Sequence, residues 1–240
     1  MKKVAIYGQS YSISAKKEIQ VLLSVLQENN IVCFIENEFY DLLKDGNILE
    51  KKYPTFSHFS DLNTSFDTLF TLGGDGTILR AVNYIRDLGI PILGINTGRL
   101  GFLATINKKN IKESIELILK GEFTIQERTL LSIKTLPKLE EFSELNFALN
   151  EVTIARKNTT SMIGVRTSLN KEYLTNYWAD GLIIATPTGS TGYSLSCNGP
   201  VISPDSKSLV ITPIAPHNLS ARSMVISDET NIQLTIDSRE

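Results

Sequence analysis

The stretch Thr71-Leu-Gly-Gly-Asp-Gly-Thr-Ile-Leu-Arg-Ala81 sets one carboxylate, Asp75, among three glycines, Gly73, Gly74 and Gly76. Glycines take either sign of φ and let backbone N–H groups come close to an anion. A carboxylate held there has two chemical uses. It accepts a proton from a ligand hydroxyl, or it holds Mg²⁺ beside a polyphosphate. The plainer alternative is a turn in which Asp75 caps the following helix, but a capped turn does not need three glycines around a fixed acid. No Gly-Lys-Ser/Thr follows, so this is not a Walker A loop, and a Gly-x-Gly-x-x-Gly fingerprint is absent. Arg80, on the next two turns, is either a phosphate contact or an exposed helix charge.

Two further stretches carry unusual chemistry. In Asn96-Thr-Gly-Arg-Leu-Gly-Phe-Leu103, Phe102 sits among small residues, either as a platform for a planar base or as a core ring. In Thr186-Pro-Thr-Gly-Ser-Thr-Gly-Tyr-Ser194, hydroxyl side chains crowd around two glycines, an array of donors and acceptors suited to a sugar diphosphate. Asn150-Glu151, an amide and an acid between apolar segments, fits ribose hydroxyls or an adenine edge.

The elements that position these residues follow from periodicity. Val4–Tyr7, Ile31–Ile35, Thr68–Leu72 and Pro91–Ile95 read as strands. Between them, Ile19, Leu22, Leu23 and Leu26, then Ile78, Val82 and Ile85, fall at helical spacing. Strands alternating with helices predict a parallel sheet, whose carboxyl edge is where ligands bind. Residues 44–63 read as loop with a short helix. A last helix through Ile111, Ile115, Ile118 and Leu119 stops at Gly121. Beyond it the texture is β-rich: 130–135, 147–155, 164–169, 172–178, 181–186, 209–213 and 232–236, with Asn170-Lys171 as a tight hairpin turn. The fold class predicted is α/β + β: an N-terminal α/β domain with a mostly parallel sheet, then a mostly β, sandwich-like domain. The domains are placed at 1–100 and 101–240, with a ligand cleft between them.

Composition narrows the function. The 240 residues carry a net charge of −2 and no basic cluster, which argues against a nucleic-acid partner. No apolar run is long enough for a membrane span, and the N-terminus turns polar too soon for a signal peptide, so a cytoplasmic location is expected. Cys33 and Cys197 make neither a disulfide framework nor a metal spacing, and His58 and His217 stand alone.

Together these stretches resemble the NAD kinase family. The resemblance rests on Gly73-Gly74-Asp75-Gly76-Thr77, Asn96 to Phe102, Asn150-Glu151, Asp180-Gly181, Thr186 to Thr191, Ser194 to Ser196 with Gly199-Pro200, and Ser220 to Arg222. It implies transfer of the γ-phosphate of ATP to the 2′-hydroxyl of the adenosine ribose of NAD, giving NADP. Asp75 would accept the proton, and Gly73, Gly74, Gly76 and Thr77 would form the phosphate loop. Gly76 and Arg80 would line the NAD site, with Phe102 against the adenine and Asn150 and Glu151 at the adenosine end. Asp180 would lie near the nicotinamide end. Ser161, Thr191, Gly192, Tyr193, Ser194, Leu195, Ser196 and Ala215 match positions that contact the dinucleotide in the family. The resemblance further implies a divalent cation such as Mg²⁺, with no side-chain set picked out as its ligands, and a homodimer or homotetramer.

Two departures stand out. Gly192 replaces the family's usual Ala, and the chain stops at Glu240 where members run on for some fifty residues, which predicts a shortened chain or an incomplete sheet. A lipid kinase shares the glycine–Asp loop but needs an apolar acyl pocket, where this sequence has hydroxyls. An NAD- or NADP-sensing module needs the same pocket without a working base.

Overall fold

A computed structural model describes residues 1–11, 15–98, 101–157, 161–218 and 220–237. The chain divides into two compact units, Met1–Ile125 and Gln126–Glu240.

The first unit is built on a six-stranded, all-parallel sheet in the order β3-β2-β1-β4-β5-β6. Its strands are β1 (Lys3–Gly8), β2 (Val32–Glu36), β3 (Thr55–Phe56), β4 (Thr68–Gly73), β5 (Ile92–Asn96) and β6 (Ile106–Asn107). Residues on β1 alternate between two cores. Val4 and Ile6 pack with α1 (Lys16–Glu28), α2 (Asn37–Asp45) and α4 (Ile111–Leu119), whereas Ala5 and Tyr7 pack with α3 (Asp75–Ile85). Both faces of the sheet are therefore covered, which is why its central strands read as near-continuous apolar runs. α1 buries Ile19, Leu22, Leu23, Val25 and Leu26, its predicted stripe. Each such side chain contributes about 1.5–3 kcal/mol by leaving water.

The unit boundary lies beyond the predicted residue 100, because β6 pairs with β5 and α4 buries Ile111 and Ile115 in the core that α1 shares. α4 ends where expected: Gly121 takes φ +79°, the left-handed conformation that glycine adopts cheaply. Residues 37–45, for which no element was predicted, form α2. Its first turn is capped by the Glu36 carboxylate, which accepts from the Phe39 N–H at 3.0 Å.

The second unit contains a four-stranded antiparallel sheet ordered β14-β13-β12-β9 and a three-stranded one ordered β11-β10-β15. The first comprises β9 (Glu151–Ala155), β12 (Gly181–Ala185), β13 (Ser208–Ile214) and β14 (Met224–Ser227). The second comprises β10 (Ile163–Leu169), β11 (Glu172–Ala179) and β15 (Ile232–Asp237). A small pair, β7 (Leu131–Ser132) and β8 (Phe147–Ala148), stands apart. Strand β12 is buried along its whole length, with Leu182 and Ile184 in one apolar cluster and Ile183 and Ala185 in another. The β10–β11 hairpin turns on Asn170 and Lys171, both at positive φ (51° and 74°), as a two-residue turn of matching twist requires.

Candidate functional site

The Gly73–Thr77 loop closes β4 and opens α3 at the carboxyl edge of the parallel sheet. β4 and β5 pair Gly73 with Asn96, so the two glycine-rich turns lie side by side. Gly73 leaves room for the Thr77 hydroxyl, and Thr77 itself is buried. At Gly74 and Gly76, among the described residues, no atom lies within 4 Å of where a Cβ would sit. Packing therefore does not demand glycine at these two positions, and their backbone is open to close approach. Gly74 is the N-cap of α3, and among the described residues no side chain caps that end. A helix N-terminus of this kind attracts anions through its amides and dipole.

Asp75 does not cap its own helix. Its carboxylate reaches the loop after β5 instead: Oδ2 accepts from the Phe102 N–H at 2.7 Å, and Oδ1 accepts from Leu103 and Ala104 at 3.0 and 3.1 Å. The Phe102 ring is 75% exposed, which removes the core alternative and leaves a bare aromatic face beside the acid. Leu100 of the same motif lies outside the described residues.

Arg80 leaves the second turn of α3 toward β1. With the Gln9 amide oxygen turned to it, its Nε and Nη1 donate at 2.9 and 3.1 Å. Both line a cavity of about 300 Å³ at the ends of β1 and β2, walled by Tyr7, Tyr84, Glu36 and Glu38. The Tyr84 hydroxyl is pushed up to about 12, first by burial and then by Glu36. Tyr7 is raised too, mainly by burial, with Arg80 opposing.

In the second unit the residues fall into two groups, one at each end of β12. At its carboxyl end, Thr186 joins the strand to the hydroxyl loop, and its N–H donates to the Asn150 carbonyl at 2.9 Å. Its hydroxyl donates to the Leu149 carbonyl at 2.6 Å and accepts from the Gly189 N–H at 3.1 Å. Gly189 packs against the Asn150 backbone, and Gly192 faces the Glu151 carboxylate and the Asn150 amide. Asn150, Glu151 and Gly192 are thus brought together. Glu151 Oε2 is buried with no hydrogen-bond partner among the described residues, and burial raises its carboxyl above the usual range.

The hydroxyl loop is less outward-facing than its composition suggested. Thr186, Ser190 and Ser194 are fully buried. Ser190 bonds the Pro187 carbonyl and the Ile202 N–H, and Ser194 bonds Thr212 at 2.9 Å. These three hydroxyls are engaged within the unit, so the fold itself uses part of the array that composition marks as suited to a ligand. Thr191 is half-buried, while Tyr193, Leu195 and Ser196 are exposed on the four-residue helix α5 (Tyr193–Ser196).

At the other end of β12, Asp180 donates its N–H to Ile214 and pairs its carboxylate with Arg156 at 2.9 Å. Ala215 follows Ile214 at φ +43°, a strained value for a residue with a Cβ. With the five residues of β12 between them, Asp180 and Thr186 lie six strand rises apart, roughly 20 Å. Ser161 is exposed on a bend before β10. Two cations escaped the sequence reading. Arg156 was hidden because its partner is distant in sequence. Arg128 donates to Thr188 at 3.5 Å and to Gln126 at 2.7 Å, and its guanidinium is partly desolvated.

Comparison with known proteins gives a consistent result. Residues 10–123 match the family model described as ATP-NAD kinase N-terminal domain, and residues 149–240 match the ATP-NAD kinase C-terminal domain. An NAD kinase of Christiangramia forsetii is 55% identical over 237 residues, which is 99% of this chain and 81% of that protein. An NAD kinase of Flavobacterium johnsoniae is 54% identical over 238 residues, with the same coverage. Among solved structures, yeast NADH kinase complexed with NADH superimposes with a TM-score of 0.85 at 25% identity, covering 99% of this chain and 73% of that one. An NAD kinase from Archaeoglobus fulgidus in complex with ATP gives 0.72 at 24% identity, covering 98% and 81%, and supports the fold.

Proposed function

The chain belongs to the ATP-NAD kinase family, and we propose that it transfers the γ-phosphoryl group of ATP to the 2′-hydroxyl of the adenosine ribose of NAD, producing NADP. The observation that carries this reading is the 55% identity to an NAD kinase across nearly the whole chain. Phosphoryl transfer asks a protein for positioning and charge stabilisation more than for covalent chemistry. A seated carboxylate in a glycine loop and an uncapped helix N-terminus meet that need.

Asp75 is the proton acceptor, and the amides around Gly73, Gly74, Gly76 and Thr77 receive phosphate. Gly76, Arg80 and Phe102 contact NAD, with the exposed Phe102 ring against the adenine. Asn150 and Glu151 take the adenosine end, and Asp180 with Ala215 takes the nicotinamide end. The strand-length separation of those two groups supports this reading, because a dinucleotide has two ends to hold. Ser161, Thr191, Gly192, Tyr193, Leu195 and Ser196 complete the contacts. Ser194 belongs to the same loop and holds it from within, since it is fully buried with its hydroxyl on Thr212.

A divalent cation, Mg²⁺, fits the hard oxygen chemistry of the Asp75 loop. Such an ion needs only one or two carboxylates and takes its other ligands from water and substrate phosphates. With Asp75 given to the hydroxyl, the ion would be held mainly by the triphosphate oxygens and water, and it would offset the triphosphate charge. Among the described residues no helix is long and apolar enough to cross a membrane, and we place the enzyme in the cytoplasm as a homodimer or homotetramer. Incubation of the protein with ATP, Mg²⁺ and NAD, read with an NADP-specific dehydrogenase, tests the activity. NADP accumulation is expected, and its absence overturns the reading.

A further inference from the structure

The carboxylate assigned to proton transfer is seated by a loop remote from it in sequence, and one residue makes that seat possible. Three consecutive amides, those of Phe102, Leu103 and Ala104, point at the two oxygens of Asp75. Oδ1 accepts two of them and Oδ2 one. A carboxylate oxygen offers about two lone-pair sites, so the open site is on Oδ2.

Gly101 lies directly before these amides. Space requires glycine there. A Cβ at residue 101 would collide with Cγ, Oδ1 and Oδ2 of Asp75, its three nearest atoms. The loop is anchored from below in a similar way. Ala104 is buried against β5, where a Cβ on Gly94 would come within 2.8 Å of the Ala104 Cα. One glycine thus lets the loop sit on the sheet, and another lets the carboxylate sit on the loop.

We propose that Gly101, acting with the amides of Phe102 to Ala104, is the positioning residue for Asp75, and that it presents Oδ2 to the acceptor hydroxyl. The chemical half of this inference rests on the kinase reading. In the step, the hydroxyl oxygen bonds to the γ-phosphorus of ATP as the bond from that phosphorus to its bridging oxygen breaks. The breaking bond's electron pair leaves with ADP, and the hydroxyl proton passes to Oδ2. The peptide that holds Oδ2 also carries the exposed Phe102 ring, so one segment sets both the base and the aromatic residue beside it.

The test compares wild type, Gly101→Ala, Asp75→Ala and the double variant. Melting temperature is measured without ligand, and kcat and the KM for ATP are measured with NAD and ATP. Gly101→Ala should lower the melting temperature when Asp75 is present and leave it unchanged in the Asp75→Ala background, where the colliding atoms are gone. It should lower kcat by about 10²-fold, the scale of a misplaced catalytic group, with little change in the KM for ATP. Recovery of folding in the double variant, should Gly101→Ala alone not fold, supports the proposal. An equal loss of stability in both backgrounds, or wild-type kcat in folded Gly101→Ala, overturns it. Absence of NADP from the wild type defeats the kinase reading, and the melting comparison still judges the seat.

Discussion

Replacing Glu151 with Gln should make the free protein more stable and its hold on NAD weaker. Glu151 Oε2 is buried at the start of β9 with no partner among the described residues. Holding that oxygen ionised and unpaired costs more than holding it neutral, and because Glu151 as a whole is only half-buried a difference of about 1 kcal/mol applies. Burial alone raises its carboxyl from the ordinary 4.5. The folded state therefore binds this proton more tightly than the unfolded state does. For a raised acid, stability is greatest below pH 4.5 and falls as pH climbs through the window up to the raised folded value. A neutral Gln escapes that fall. In calorimetry without ligand, the variant should melt about 4 °C higher once the carboxylate is ionised, the shift about 1 kcal/mol gives in a unit of this size. The advantage should vanish below pH 4.5. Titration calorimetry should show NAD binding about 10- to 100-fold weaker, the worth of hydrogen bonds to a charged group. A melting temperature equal to or below wild type at pH 7.5, or an advantage that persists at pH 4, would contradict the assignment of a ligand-directed, desolvated acid.

Other outcomes follow from the same geometry. Thr186→Val keeps the shape but leaves the Leu149 carbonyl and Gly189 N–H unpaired in a fully buried position, so urea unfolding should show a loss of about 2–4 kcal/mol. Phe102→Ala should leave the melting temperature within about 1 °C, since an exposed surface substitution costs little. It should weaken NAD binding by about 1–3 kcal/mol, the scale of base stacking, as read in a direct binding titration. Cys33 is buried, and burial pushes its thiol to about 11, so it should resist iodoacetamide at pH 8 until the protein is unfolded.

The α/β half was legible because its signals are local. The apolar stripe of α1, the run ending in Gly73 and the Gly121 stop each follow from a few neighbouring residues. Helix α2 was not, because only Phe39 and Leu43 are buried on it and its cap is a buried glutamate, a residue type that reads as surface. The two-residue strands β3 and β6 exist through pairing with β2 and β5 and show no periodicity of their own. At the site, residue types were readable while directions were not. Composition marks 186–194 as rich in hydroxyls, but only the fold turns Thr186, Ser190 and Ser194 inward. The partners of Asp75 lie 27 to 29 residues away, so its glycine loop revealed a special acid without revealing what holds it.

The central claim is that Asp75 serves as the base in phosphorylating NAD, and steady-state kcat of Asp75→Asn beside wild type tests it most directly. Loss of a positioned general base should lower kcat by roughly 10²–10⁴-fold while the protein still binds ATP. An Asp75→Asn enzyme that makes NADP at the wild-type rate would contradict the account.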